Sequence, residues 1–244
     1  MPGKREKDMA IIENIRRVRA EIAEAAAAAG RRPEEITLVG ASKMNDAAAC
    51  REAVAGGIDA LGENRVQELL KKYAEDAYVG APLHFIGHLQ RNKVRQIVGK
   101  VDLIQSVGSL ELLAEIQRCA EKLGMVQDVL LEVNIGGEES KSGFAPDEVL
   151  PLLEKIGEYP NIRVKGLMAI PPISQKHGDN RKYFEKMCNI SVDITAKKYD
   201  NVMVECMSMG MSDDFADAIG CGSTMIRVGT AIFGARDYAK LHQV

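Results

Sequence analysis

The sequence predicts an α/β fold, a single (β/α)8 TIM barrel over residues 1–244 with an additional N-terminal helix. Three observations carry this. There are eight short apolar, β-rich runs; segments of helical composition lie between them; and the runs are continuously apolar instead of alternating. Continuous apolar strands are expected where helices cover one face and a barrel interior fills the other. A doubly wound open sheet is the alternative, but no G-x-G-x-x-G follows the first strand and the strand count matches closure.

The elements follow in order. The alanine-rich segment Ile11–Ala29 reads as the extra helix, packed ahead of the first strand. ITLVGAS (36–42) is the first strand, followed by a helix over Asp46–Ala55 with Asp at its start. IDALGEN (58–64) precedes the helical VQELLKKYAED, and LHFIGH (83–88) precedes a basic run from Arg91 to Lys100 that reads as a solvated helix face. DLIQSV (102–107) leads into SLELLAEIQRCAEKLG, which Ser opens. DVLLEVN (128–134) comes before PDEVLPLLEKIGEY, which Pro opens. VKGLMAI (164–170) runs into PPISQKHGDN, a polar, proline-led loop and the expected mobile segment. MVECMSMG (203–210) and TMIRVG (224–229) are the last two strands.

Bulk properties exclude several classes. With 46% hydrophobic and 27% charged residues the composition is that of a globular domain, and no apolar run approaches the roughly 18 residues that would span a bilayer. MPGKREKDMA mixes both charges and lacks the apolar core of a secretory signal, so a cytoplasmic location is expected. Five cysteines, Cys50, Cys119, Cys188, Cys206 and Cys221, form no C-x-x-C pair and read as buried reduced thiols. A net charge of -3 gives no general attraction to nucleic acid.

Barrel chemistry sits where strands exit into βα loops. The runs end in Ser42 and Lys43, Gly62-Glu63-Asn64, His88, Ser106, Asn134, Pro171, Ser208 through Ser212, and Arg227 with Gly229 and Thr230. On the first strand, Val39, Ala41 and Lys43 share one face while Ile36, Leu38 and Gly40 share the other. With the first set inward, Lys43 stands over the barrel mouth, where desolvation or a nearby cation would lower its pKa and make it nucleophilic toward a carbonyl compound. The spacing fits a surface lysine in a βα loop equally well. Lys141 is a rival farther from its strand end, and Lys165 begins the sixth strand at the wrong face of the barrel.

Gly210 between methionines, with Ser212 and two aspartates opening a helix, offers N–H groups and a hydroxyl for a phosphate. Ser212 also reads as a plain N-cap, and the aspartates oppose an anion unless they point to solvent. Gly229 and Thr230 repeat the pattern after the eighth strand, and loops seven and eight are where barrels often hold a phosphate. Arg227 shares a face with Met225 and should point inward, leaving Ile226 and Val228 toward the helices. There it needs a partner, either Glu132 or Glu205 or a ligand acceptor. His84 and His88 on one strand would lie roughly 13 Å apart and cannot share a metal, so no metal site is expected. His177 and His242 fall in a loop and at the tail, which leaves no Ser/His/Asp order to defend.

These motifs resemble those of the pyridoxal 5′-phosphate (PLP) homeostasis proteins, the YggS or PROSC family. The likeness runs from about Ile36 to Tyr238 through SK, GENRVQE, HFIGHLQRNK, NIGGEESKSGF, GLMAIPP, SMGMSDDF and GSTMIRVGTAIFGARDY. The resemblance implies a fold-type III PLP barrel, similar to alanine racemase without its second β domain. It also implies that Lys43 forms a Schiff base with the cofactor and Arg227 faces the pyridine nitrogen. Met209, Gly210, Ser212, Gly229 and Thr230 would hold the phosphate, with Asn64 and His84 lining the ring side. Met44 and Asn45 after the lysine depart from the family pattern, as does GGIDALGEN.

An arginine cannot give its proton to the pyridine nitrogen, so the ring should be a weak electron sink. A racemase also needs a base on the opposite face of the substrate, which in its relatives arrives with a second domain that this chain has no residues to build. The expectation is therefore a monomeric protein that stores PLP or delivers it to apoenzymes, without catalytic residues. A slow amino-acid racemase is the alternative, with a lysine aldolase behind it.

Overall fold

The structure, a computed structural model, describes residues 2–138, 141–173 and 178–234, with the side chains of residues 2–9 outside the description. Eight parallel strands close into one barrel in sequence order: β1 (Thr37–Ala41), β2 (Ala60–Glu63), β3 (Leu83–Phe85), β4 (Leu103–Val107), β5 (Gln127–Glu132), β6 (Ile162–Met168), β7 (Val202–Ser208) and β8 (Met225–Val228). β1 closes the ring on β8, with Val39 opposite Arg227 and Gly40 opposite Val228. Around it lie α1 (Pro2–Ala28), α2 (Ala47–Ala55), α3 (Val66–Tyr73), α4 (Val94–Ile97), α5 (Leu110–Lys122), α6 (Val149–Leu153), α7 (Arg181–Ala196), α8 (Phe215–Gly220) and α9 (Thr230–Phe233).

Strand alternation sorts the apolar residues into two cores. Val39, Ala60, Leu103, Leu130, Met168 and Met225 fill the barrel interior. Leu38, Leu61, Phe85, Ile104, Leu131, Ile226 and Val228 join the larger core between barrel and helices. Val39 inward with Leu38 toward the helices, and Met225 inward with Ile226 and Val228 toward the helices, are as the sequence predicts.

The helix ahead of β1 is longer than its alanine-rich stretch, beginning at Pro2, a residue suited to a first helical turn. Its stripe Ile11, Ile15, Val18, Ile22 and Ala26 is buried at helical spacing. Asn14 Nδ2 donates to the Ile232 carbonyl at 2.9 Å, and Arg31 Nη1 donates to the Ile219 and Ser223 carbonyls at 3.1 and 2.7 Å. The helix and the turn that follows it thereby secure the turns on either side of β8.

Two other features differ from expectation. The run expected to be helical over PDEVLPLLEKIGEY gives only Val149–Leu153 and a 3-10 turn at Ile156–Glu158. Pro151 has no N–H and its ring excludes a preceding helical carbonyl, so it is tolerated only near a helix start. All five thiols are free, with Cys50 and Cys119 buried and the other three only half-buried. The basic run is largely solvated, but it spans a 3-10 turn at Arg91–Lys93, the four-residue α4 that buries Val94 and Ile97, and the turn beyond it. Residues 174–177 of the 171–180 loop, with His177, lie outside the described residues, as do 235–244 with Tyr238 and His242.

Candidate functional site

Lys43 stands two residues beyond the end of β1 and is half-buried. Its loop adjoins the eighth turn: a Cβ on Gly229 would lie 3.4 Å from the Ala41 carbonyl oxygen. The seventh turn joins the same corner because the Arg227 N–H donates to the Gly210 carbonyl at 3.0 Å. The first, seventh and eighth βα turns therefore meet at one side of the mouth.

The seventh turn is built around Gly210, whose φ of +95° lies in the region that glycine alone adopts freely. A Cβ there would come within 2.7 Å of Ala218 Cβ and 2.9 Å of Phe215 Cα. Met209 N–H donates to the Met225 carbonyl at 3.1 Å, and Ser223 Oγ lies 3.1, 2.8 and 3.0 Å from the carbonyls of Met207, Met209 and Met225. Ser212 is half-buried and is not the N-cap of α8; that position belongs to Asp214. Asp214 accepts from the Met211 N–H at 2.7 Å and from Asn180 Nδ2 at 2.8 Å, while Asp213 is exposed. Gly229 caps α9, and Thr230 begins it, where the first helical N–H groups have no intrahelical acceptor.

Arg227 points into the barrel and is 4% exposed. Its guanidinium donates to Ser208 Oγ at 2.5 Å and to the Ala169 carbonyl at 2.9 Å. Neither of its two anticipated carboxylates bonds it among the described residues. Glu205 lies on the exposed face of β7 and pairs instead with Lys165. Glu132 acts on it only through its field. Burial pulls Arg227 down to about 10, against the charges of Glu132 and Asp214. Burial likewise pushes the Glu132 carboxyl above its ordinary range, opposed by Ser142, Arg227 and His88.

The arginine fixes a directed chain of hydrogen bonds across the barrel. It can only donate, so Ser208 Oγ accepts from it and gives its own hydrogen to Gln105 Oε1 at 2.7 Å. That turns Gln105 Nε2 toward His84 Nδ1 at 2.9 Å, leaving the histidine's proton on Nε2. Burial pushes His84 down to about 4, with Asp102 in opposition, so it is neutral near pH 7. His84 thus belongs to the interior of the barrel, 7% exposed, and reaches Arg227 through two side chains. Nothing in the sequence alone pairs Gln105 with Ser208, 103 residues apart.

Asn64 and His88 border a cavity of about 180 Å3 at the mouth, with Glu132, Asn134 and Lys141. Asn64 Oδ1 is buried and has no hydrogen-bond partner among the described residues. Lys141 is exposed, as its loop position suggests, yet it borders this cavity. A hollow of about 600 Å3 lined by Asp102, Asp128 and Arg163 lies at the amino-terminal ends of β4 to β6, away from these groups.

The donors offered by the turns after β7 and β8 suit an anionic group, and Lys43 beside them suits a carbonyl carbon. Fold and strand-end chemistry define a barrel of the class found in alanine racemases, and the chain matches the alanine racemase N-terminal domain family over residues 10–237. It is 45% identical over 226 residues to the pyridoxal phosphate homeostasis protein of Aquifex aeolicus, covering 93% of this chain and 98% of that one. The Pseudomonas aeruginosa protein of the same name is 43% identical over 231 residues, covering 93% and 96%. The chain belongs to the pyridoxal phosphate homeostasis protein family. Among solved structures, PipY of Synechococcus elongatus with PLP bound superposes with a TM-score of 0.75 at 32% identity, covering 87% of this chain and all of that one. An alanine racemase from Streptomyces lavendulae shares the fold, with a TM-score of 0.70 at 15% identity over 96% of this chain and 59% of its own.

Proposed function

We propose that the chain, acting as one unit over residues 1–244, binds pyridoxal 5′-phosphate reversibly and serves its homeostasis in the cytoplasm as a monomer, holding the cofactor for apoenzymes. The observation that carries this reading is the meeting of Lys43's loop with the Gly210 and Gly229 turns around an inward arginine. The buried, unpartnered Asn64 Oδ1 and the turn at Gly210, which a Cβ would fill, fit a ligand held at this mouth.

When bound, PLP supplies an aldehyde that an amine takes up covalently. Lys43 supplies that amine. The Met209–Gly210 turn, Ser212, Gly229 and Thr230 hold the phosphate, and Asn64 and His84 support the ring side, His84 through Gln105 and Ser208. Arg227 has five N–H donors, two of which Ser208 and Ala169 engage, so it can also donate to a ring acceptor. Near pH 7 it keeps its proton, leaving the ring nitrogen unprotonated and the electron sink weak. The residues therefore orient and retain the cofactor without activating it. The curated relatives carry the name of a homeostasis protein, in keeping with this.

Borohydride reduction of PLP-loaded protein followed by peptide mapping tests the reading. A pyridoxyl adduct is expected on Lys43 and absent from Lys43→Ala. An adduct mainly on Lys141 would move the site across the mouth, and steady accumulation of the mirror image from single amino-acid enantiomers would make the protein a racemase.

A further inference from the structure

We infer that Lys43 is set in place by side chains of the second βα unit, with Glu63, Lys72 and Glu68 as positioning residues; this rests on Lys43 being the attachment amine proposed above.

The backbone on both sides of Lys43 is held from β2 and α3. Before it, Ser42 N–H donates to the Gly62 carbonyl at 2.9 Å, and Ser42 Oγ donates to Glu63 Oε1 at 2.6 Å. The Ser42 carbonyl, whose carbon bonds the Lys43 nitrogen, accepts from Lys72 Nζ at 2.9 Å and from the Asn45 N–H at 3.1 Å. After it, Met44 has φ +65°, a left-handed conformation uncommon for a side chain of this kind, and its N–H donates to Glu68 Oε2 at 2.8 Å. Asn45 Nδ2 donates to the Lys43 carbonyl at 3.1 Å.

Glu63 and Lys72 are 0% and 5% exposed and bonded at 2.5 Å, with Tyr78 Oη donating to the same carboxylate oxygen at 3.1 Å. They lie outside the barrel, since Leu61 of β2 faces the helices and Glu63 follows at the same parity. Apolar residues of similar volume often serve stability as well as a buried ion pair does. What this pair adds is direction, because one charge grips the Ser42 hydroxyl and the other its carbonyl. Glu68 does the same for the strained residue that follows, and strain of this kind persists only where surrounding bonds over-determine it. The effect is to place the Lys43 Cα, and thereby its amine, before any ligand arrives. Attachment then needs only that Lys43 Nζ bond the aldehyde carbon, with the carbonyl oxygen leaving as water.

Two probes separate this from a plain structural role: PLP, and pyridoxine 5′-phosphate, which keeps the ring and phosphate but has an alcohol in place of the aldehyde. Glu68→Ala, at a half-buried site, and Lys72→Met are compared with the parent chain by equilibrium binding and thermal unfolding. PLP affinity is expected to fall on the order of tenfold in both, as misplacement of a reacting group would cause, with pyridoxine 5′-phosphate affinity unchanged. Glu68→Gln, which keeps an oxygen to accept from Met44, is expected to restore PLP binding. If Lys72→Met does not fold, Glu68→Ala decides alone. Unchanged PLP binding in Glu68→Ala, or an equal fall for both probes, overturns the inference. Failure of the functional reading looks different, since Lys43→Ala would then bind PLP as tightly as the parent chain.

Discussion

Replacing Gly210 by alanine should damage the protein in two separable ways. A side chain at φ +95° carries backbone strain of about 1–2 kcal/mol. Its Cβ would also stand 2.7 Å from Ala218 Cβ and 2.9 Å from Phe215 Cα, neither of which is the free end of a flexible side chain. Overpacking of this kind costs about 1–3 kcal/mol, so a total near 3 kcal/mol is expected. For a chain of this size each kcal/mol lowers Tm by about 2–4 °C, which gives a drop of about 6–12 °C. Gly30, just past the end of α1, is the control: its φ is +67°, and an added Cβ meets nothing within 4 Å. Gly30→Ala should therefore show the strain alone, about 1–2 kcal/mol and about 2–8 °C. Thermal unfolding followed by circular dichroism reads both variants. If Gly210→Ala loses no more than Gly30→Ala, the seventh turn yields to the new methyl group and is not held rigidly against Phe215 and Ala218. PLP affinity should follow the same order, falling in Gly210→Ala and holding in Gly30→Ala.

Three further outcomes follow from the same geometry. Between its ordinary value near 6.5 and about 4, His84 is protonated in the unfolded chain and neutral in the folded one. Stability should fall as pH is lowered through that window, by on the order of 3 kcal/mol in full, and urea titrations of His84→Gln should lack this component of the slope. Ser223→Ala withdraws a buried hydroxyl from the carbonyls of Met207, Met209 and Met225 and should lower stability by about 1–3 kcal/mol in urea unfolding; a neutral result would mean that another donor takes its place. Asn14→Ala removes the amide that α1 offers to the Ile232 carbonyl and should cost about 1 kcal/mol by the same measurement, with no change if that carbonyl turns to water.

The barrel was legible because its evidence is local. Each strand announces itself as a short apolar run, and parity along TMIRVG suffices to turn Arg227 inward and Ile226 outward. What parity could not supply was the partner. Glu205 was a reasonable candidate for Arg227 by strand membership, but its side chain lies on the exposed face of β7 with Lys165 beside it. The chain from His84 through Gln105 and Ser208 depends on cross-barrel register, which residues 103 apart do not advertise. Lys72 was hidden differently. In VQELLKKYAED it is one of two adjacent lysines, and Val66, Leu69 and Lys72 recur at a spacing of three, which places the lysine on the buried stripe of α3. That periodicity was the available signal that Glu63, also buried, had a cation to meet.

The interior arginine is the feature in which stability and function pull apart. Its described hydrogen bonds go to a hydroxyl and a carbonyl, both neutral, and of the two carboxyls whose fields act on it, Glu132 and Asp214, Glu132 is itself held toward its neutral form by burial. A desolvated cation so weakly compensated is a burden on the folded state. Neutral dipoles can orient a guanidinium without cancelling its charge, so the field at the mouth stays positive for an acceptor that arrives from outside. Under the proposed reading that acceptor is the ring nitrogen of PLP, and the same proton that attracts it is one the arginine does not release near pH 7. A carboxylate in place of Ser208 would quiet the charge and weaken that attraction; a stronger acid in place of Arg227 would hand the ring its proton and open the way to carbanion chemistry. The combination found here, a fixed proton on a group held by dipoles, suits a protein that must grip its cofactor and later let it go unchanged.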